Sequence, residues 1–244
     1  MKKQLLYSLI ILSGLTIFFI ACNKDEVEDY IPKEYIGNDA SYLRIINTIS
    51  IPRRVDFYVN DQKMNGDSIA YPSTFPAAEF LRIPSGSATF KATVPATNTN
   101  IFTSTFTFSA GKYNTLWVID TLPTIDAYQV TDDKLIPPPD SGKAAIRFVH
   151  VAKGVGNLNL ANTTVATAVD TVIKNISYKS HSPFIIVNSG SSLKFQLYLS
   201  GTTTVFATAL TQSLTPNRMY TFYIRGRAGV TGTYAPALVA IVTR

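Results

Sequence analysis

Cys22 is the only cysteine of the 244 residues. It directly follows Ala21, at the end of an apolar run that is preceded by Lys2 and Lys3. A charged start, an apolar middle and a small residue are typical of a secretory signal, and a cysteine at the next position resembles a lipobox, in which the thiol is acylated. The apolar run is shorter than the ~20 residues that span a bilayer core. This favours a cleaved lipoprotein signal peptide, residues 1–21, over an uncleaved anchor helix.

Lys24, Asp25 and Glu26 follow the cysteine almost at once. They resemble the lysine-plus-two-acids signal that sends lipoproteins of the Bacteroidota to the outer face of the outer membrane. We therefore expect a lipid anchor in the outer membrane and display at the cell surface, with a periplasm-facing position as the alternative. Residues 22–40 are polar and acidic, which predicts a flexible tether between the lipid and the folded part.

The second candidate chemistry is the binding of polyanions by basic and aromatic side chains. Residues 143–244 contain ten Lys and Arg residues and a single acid, Asp170, a net charge of +9, although the whole chain carries only +6. Arg218, Arg225 and Arg227 cluster near the predicted last hairpin, and Lys194 and Tyr198 point outward from another predicted strand. Such charges attract phosphate, sulfate or uronate groups, and aromatic rings stack on sugars. A generic solvated face is the alternative interpretation.

Trp117 and Tyr223 are a possible addition to this site. They occupy equivalent positions of two similar segments, and both are predicted to point outward. Two such rings would form a stacking platform for a glycan. Packing under a loop or against the other domain is the alternative, and we favour it.

Catalytic and metal-binding patterns are missing from the sequence. The single acid of residues 143–244 excludes a carboxylate pair there, and His150 and His181 are the only histidines. Asp132 and Asp133 could offer oxygen ligands to calcium, but a solvated strand end is the simpler interpretation. We predict no enzyme, no metal site and no cofactor.

The elements that must position these residues are short strands in two similar segments. Apolar and polar residues alternate with period two, for example in residues 102–108 and 193–199, which predicts strands with one buried face. Residues 41–133 and 143–244 flank a Pro-rich linker, 134–142. The strand that carries Arg44 matches the strand that carries Arg147, and later segments match in the same order, which indicates a tandem duplication. About seven strands in each segment predict two tandem immunoglobulin-like antiparallel β-sandwich domains; a small barrel is the alternative.

These residues also carry a family resemblance. The arginine-bearing first strand, the run from Val55 to Asp61, the Ile83-Pro84-Ser85-Gly86 turn and the Ala110-Gly111-Lys112-Tyr113 step resemble the DUF4397 domain. Residues 143–244 resemble it less, since Asn217 and Arg218 replace Gly-Lys there. The resemblance implies an extracellular β-sandwich and a non-enzymatic surface role, and it assigns no binding residue.

The expected function is therefore binding or adhesion at the cell surface. An acidic glycan or lipopolysaccharide is the expected ligand class, with a partner protein as another possibility, and nucleic acid is not expected. The alternative function is that of a structural accessory subunit of an outer-membrane protein complex.

Overall fold

The computed structural model describes residues 35–51, 54–138, 140–165 and 169–244. The predicted signal peptide, Cys22 and the Lys24-Asp25-Glu26 signal lie outside these residues. The described part is built of β-strands and one short 3-10 helix, Gly232–Tyr234, so the predicted all-β sandwich architecture is confirmed. Among the described residues, no helix has the length and apolarity that a membrane span requires.

The strands before the Pro-rich linker form the first sandwich. They are β1 (Ala40–Asn47), β2 (Arg54–Val59), β3 (Gln62–Lys63), β4 (Ile69–Ala70), β5 (Ser73–Phe75), β6 (Leu81–Pro84), β7 (Gly86–Val94), β8 (Thr99–Phe108), β9 (Tyr113–Ile119) and β10 (Asp126–Asp132). One sheet has the order β10-β9-β1-β5, with β6 also paired to β1, and the other has the order β3-β2-β7-β8, with β4 paired to β2.

The strands after the linker form the second sandwich. They are β11 (Lys143–His150), β12 (Leu158–Asn162), β13 (Asp170–Ile176), β14 (Ser180–His181), β15 (Ile185–Asn188), β16 (Gly190–Leu199), β17 (Leu210–Leu214), β18 (Met219–Arg225) and β19 (Ala237–Val242). Their sheets have the orders β14-β11-β18-β19, with β15 paired to β11, and β13-β12-β16-β17. Strand pairing therefore follows the same plan on both sides of the linker.

Local sequence accounts for the sharpest turns. Asn60 and Asp61 form the two-residue loop between β2 and β3, where Val59 pairs with Gln62. Both loop residues have positive φ, 48° and 61°. This is the backbone of a hairpin turn that Asn, Asp and Gly adopt most readily.

One pair of strands in each sandwich is parallel, which the sequence did not indicate. β1 runs parallel to β9, with Arg44 opposite Thr115, and β11 runs parallel to β18, with Arg147 opposite Thr221. The remaining pairings between these named strands are antiparallel.

Each sandwich has its own apolar core between its two sheets. Phe57, Phe90 and Leu116 belong to the first core, and Phe148, Phe195 and Phe222 belong to the second. Burial of these large side chains supplies most of the stability of such folds.

A third apolar cluster joins the two sandwiches. We call it the interface cluster; its buried members are Ile46, Trp117, Ile119, Val130, Val149, Val151 and Tyr223. They come from the sheets that contain β1 and β11, so these two inner sheets face each other and the other two form the outside. The inner strands β1, β9, β11 and β18 are therefore buried on both faces, unlike the alternating runs from which the sequence predicted strands with one buried face.

Candidate functional site

Trp117 and Tyr223 are not on the surface. Their exposed fractions are 0% and 2%, and their ring centroids lie 6.4 Å apart in an edge-to-face contact across the interface cluster. They do point away from the core of their own sandwich, but the other sandwich covers that face. The predicted glycan-stacking platform is therefore wrong, and the alternative of packing against the other domain is what the structure shows.

Arg225 and Arg227 are also engaged with the first sandwich. The Arg225 guanidinium donates from Nη1 to the Tyr71 hydroxyl at 2.6 Å and lies 5.1 Å from the centroid of that ring. Arg227 Nε lies 3.8 Å from Asp120 Oδ1, and Lys153 Nζ contacts the other oxygen of the same carboxylate. The Asp120 side chain is only 1% exposed. These cations therefore hold the sandwiches together and do not form an open binding face.

Lys194 and Tyr198 lie on β16, in the outer sheet of the second sandwich. Lys194 is exposed and Tyr198 is half-buried. Because Arg218, Arg225 and Arg227 flank or end β18 of the inner sheet, the two groups stand on different sheets. The structure therefore divides the predicted basic set and forms no single patch from it.

Arg218 is the member of that set that lines an open cleft. The cleft has a volume of about 880 Å³ and lies where the first sandwich, the linker and the end of β19 meet. We call it the basic cleft; its lining includes Tyr42, Phe80, Arg82, Tyr113, Leu135, Arg218 and Arg244. Glu79 is the acidic side chain of the lining, so the three arginines outnumber it.

Aromatic rings form one wall of the basic cleft. Tyr42 and Tyr113 are neighbours on the parallel strands β1 and β9, and their rings stack with centroids 4.7 Å apart and an interplanar angle of 14°. Phe80 meets Tyr113 edge to face at 5.2 Å. Parallel strands bring such rings into register, so the wall is a property of the sheet.

Two of the arginines are held in place by hydrogen bonds. Arg82 donates from Nη2 to the Gly37 carbonyl at 3.0 Å, and Arg244 donates from Nη1 to the Tyr113 hydroxyl at 3.3 Å. Arg218 and Arg244 are exposed, and Arg82 is half-buried. Guanidinium groups bind carboxylate, sulfate and phosphate with two parallel hydrogen bonds, so the cleft offers donors for an anionic group beside rings for a sugar.

A fourth arginine lies behind the same wall. Arg44 is 1% exposed and stacks on Phe80, 4.2 Å from the ring centroid. It donates to the carbonyls of Val242 and Ala78. Burial lowers the pKa of Arg44 to about 10, and the nearby Glu79 opposes that shift, so the guanidinium stays charged at neutral pH and adds to the positive potential of the cleft.

The same arrangement occurs at the matching position of the second sandwich. Arg147 is also 1% exposed and lies 4.5 Å from the ring centroid of Phe184. Its Nη1 donates to both oxygens of Asp132 at 2.9 Å, and its Nε donates to Thr221. Asp132, a weak calcium candidate from the sequence, is therefore the counter-ion of Arg147, and Asp133 pairs with Lys112 at 2.8 Å.

The residues of the basic cleft are far apart in the sequence. Only Arg218 was predicted. Arg82 and the stacked tyrosines are brought together by strand pairing within the first sandwich, and Arg218 and Arg244 join them when the second sandwich packs against the first. Across the described ranges, no group of three or more His, Cys, Asp or Glu side chains could hold a metal ion.

Residues 41–161 match the family described as "Domain of unknown function (DUF4397)". This match extends beyond residue 133, through the linker and into β12. None of the curated proteins matches the chain.

Two solved structures of carbohydrate-binding modules are similar to the chain. A family 41 module from streptococcal virulence factors, described for alpha-glucan recognition, is 11% identical with a TM-score of 0.28, over 81% of this chain and 96% of the module. A family 26 module from Eubacterium rectale in complex with maltoheptaose is 12% identical with a TM-score of 0.26, over 83% and 97%. The chain contains a DUF4397 domain, at residues 41–161.

Proposed function

We propose that this protein is a lipid-anchored binding module of the cell surface that holds an acidic extracellular glycan in the basic cleft. Acyl chains on Cys22 would attach it to the outer membrane, and Lys24, Asp25 and Glu26 would direct it to the outer face. The role requires no catalysis and no cofactor. The observation that carries the proposal is the lining of one open cleft by Arg82, Arg218 and Arg244 beside a wall of aromatic rings.

The chemistry of the cleft favours an acidic sugar over a neutral one. The Tyr42 and Tyr113 rings present apolar faces and hydroxyl groups of the kind that pack on sugar rings. The guanidinium groups can form charge-assisted hydrogen bonds with an anion, which a uronate or a sulfate ester supplies. A neutral glycan would use the rings and leave the charges without a partner.

The test is the binding of the mature protein to immobilised heparin and to an array of acidic and neutral glycans. Arg218→Ala and Arg82→Ala should elute from heparin at lower salt than the unaltered protein, because each removes a charge from the cleft and salt screens such contacts. Lys194→Ala is the matched control, since it removes one exposed charge of the same sandwich outside the cleft.

Two results would contradict the proposal. Equal loss of retention in Lys194→Ala and Arg218→Ala would mean that net charge attracts heparin and that the cleft is not the site. Recognition of neutral glycans alone on the array would contradict the acidic ligand class.

A further inference from the structure

β8 is an unusually long strand at the edge of a sheet. It has ten residues, Thr99–Phe108, and lies at one end of the order β3-β2-β7-β8. Edge strands expose unpaired backbone groups, and proteins commonly protect them with charges, proline, bulges or short length. β8 contains no charged residue and no proline. A register shift between Ala92 and Thr93 of β7 leaves Ile101 of β8 without a partner, but the pairing from Phe102 to Phe108 is regular. The matching edge strand of the second sandwich, β17, has only five residues and also has a register shift, against β16.

The backbone of β8 presents hydrogen-bonding groups on its open side. The Thr107 carbonyl points away from β7, because it accepts a hydrogen bond from Gln129 Nε2, on β10, at 3.0 Å. Backbone groups of a strand alternate between its two sides, so those of Thr103 and Thr105 face the same open side. Gln129 occupies the Thr107 end and leaves the middle of the edge accessible.

The side chains of β8 are also incompletely covered. Phe102 and Phe106 pack on the first core and on Phe90, with ring centroids 6.3 and 6.1 Å from that ring, but both remain half-buried. Thr103, Thr105 and Thr107 alternate with them on the exposed face. An added strand would cover the phenylalanine row on one face and extend the threonine row on the other.

We propose that β8 pairs antiparallel with β8 of a second copy of this chain, which joins two outer sheets into one continuous sheet. A two-fold axis at Ser104 places Phe102 opposite Phe106 of the partner and Thr103 opposite Thr105 of the partner. Side chains opposite each other in an antiparallel pair share a face, so this register matches phenylalanine with phenylalanine and threonine with threonine. The strand is therefore complementary to itself, and its lack of charge removes repulsion between the copies.

This register also gives hydrogen-bond partners to the open backbone groups of β8. Thr103 and Thr105 would exchange N–H···O bonds with Thr105 and Thr103 of the other copy, on the side where their groups are open. Ser104 then lies opposite Ser104 of the second copy in a non-hydrogen-bonded pair, in which the two Cα atoms are about 4.5 Å apart. That distance lies within the range that a disulfide bridges, which makes the register measurable. This inference does not depend on the proposed glycan site.

The experiment introduces one cysteine into the full chain and follows disulfide-linked dimers by non-reducing SDS–PAGE. Ser104→Cys should form a reducible dimer. Thr211→Cys, on the exposed face of β17, should not, and the unaltered chain controls for Cys22. Adding Thr105→Pro to Ser104→Cys should abolish the dimer, since proline lacks the N–H that the pairing uses, while an edge position tolerates it.

The proposal is overturned if Ser104→Cys yields no more dimer than Thr211→Cys. It is also overturned if the dimer persists in a Thr105→Pro variant with unchanged fluorescence of Trp117, the only tryptophan of the chain. Unchanged fluorescence shows that the variant is folded, so a persisting dimer would mean that another surface makes the contact.

Discussion

Trp117 of β9 contacts Tyr223 of β18 with ring centroids 6.4 Å apart, and the two residues hold the same place in the two sandwiches. Contact between equivalent residues is the property of an interface around a two-fold axis. Polar contacts follow the same symmetry. Arg44 donates to Val242 at the end of β19, and Arg147 donates to Asp132 at the end of β10. The two sandwiches of one chain therefore pack in the manner of a symmetric homodimer.

We expect Trp117→Ala to destabilise the folded protein strongly. The side chain is fully buried, and truncation of a buried tryptophan typically costs about 3–5 kcal/mol of the free energy of unfolding. Chemical denaturation followed by far-UV circular dichroism would measure the change.

Tyr198→Ala is the comparison for that prediction, because it removes a half-buried ring from an outer sheet. An effect of Trp117→Ala no greater than that of Tyr198→Ala would show that the interface cluster does not form in solution.

Asp132→Asn should also lower the free energy of unfolding, by about 3 kcal/mol, because it leaves the buried Arg147 guanidinium without its counter-ion. Asp133→Asn is the matched control one residue away. Its own side chain is 85% exposed and that of its partner Lys112 is 36% exposed, and such surface pairs contribute little. The ion pair at the interface would be refuted as a stabilising contact if both variants shifted the denaturation midpoint equally.

Stability should fall as the pH drops below about 6.5, through His150. Its Nδ1 accepts a hydrogen bond from the Ala152 N–H, and its Nε2 lies 3.1 Å from the Gly156 carbonyl, so the buried ring is neutral. Burial lowers the pKa of His150 below the ordinary 6.5. The unfolded chain therefore binds more protons, and this contribution to stability is present above pH 6.5 and is lost as the pH falls towards the lowered pKa.

His150→Asn should flatten this pH dependence. Asn47 holds the matching position of the first sandwich; its Oδ1 accepts from the Ile49 N–H, and its Nδ2 donates to the Ile69 and Ala70 carbonyls. An amide at position 150 can accept the equivalent bond from the N–H two residues later without titrating. Some dependence of stability on pH would remain from His181, whose pKa is also lowered, mainly by burial. If the stability of His150→Asn depended on pH as strongly as that of the unaltered protein, the role of His150 would be contradicted.

Metabolic labelling with palmitate tests the predicted anchor. The full chain should incorporate label, and Cys22→Ala should not, because acylation requires the thiol. Label that remains in Cys22→Ala would contradict lipidation at this position. Protease treatment of intact cells would then distinguish a surface-exposed protein from one that faces the periplasm.

The alternating pattern of the outer strands made the fold predictable. In β8 and β16, apolar residues recur at every second position and lie on the core side. The inner strands gave a less regular pattern; all residues of Met219–Ile224 are buried, because one face meets the core and the other meets the second sandwich. Alternation assigns residues to two faces, but it does not reveal what covers each face.

The errors at the site have the same origin. Alternation placed Arg225 on the face of Tyr223, and the structure agrees, but that face is the interface. Arg82, Arg218 and Arg244 are separated by long stretches of sequence. Arg244 lies beside Met219 at the start of β18 through backbone hydrogen bonds within the second sandwich, and Arg82 joins the pair only through packing between the sandwiches. No local motif could have indicated the basic cleft.

The linker gives the cleft a further property. Leu135 is 3% exposed and packs with Ala145 and Met219 of the second sandwich and with Phe80 and Tyr113 of the first. Because Leu135 contacts both sandwiches, the linker does not act as the hinge that a Pro-rich connection between domains suggests. The cleft walls are thus set before a ligand arrives, so binding there would lose little conformational entropy.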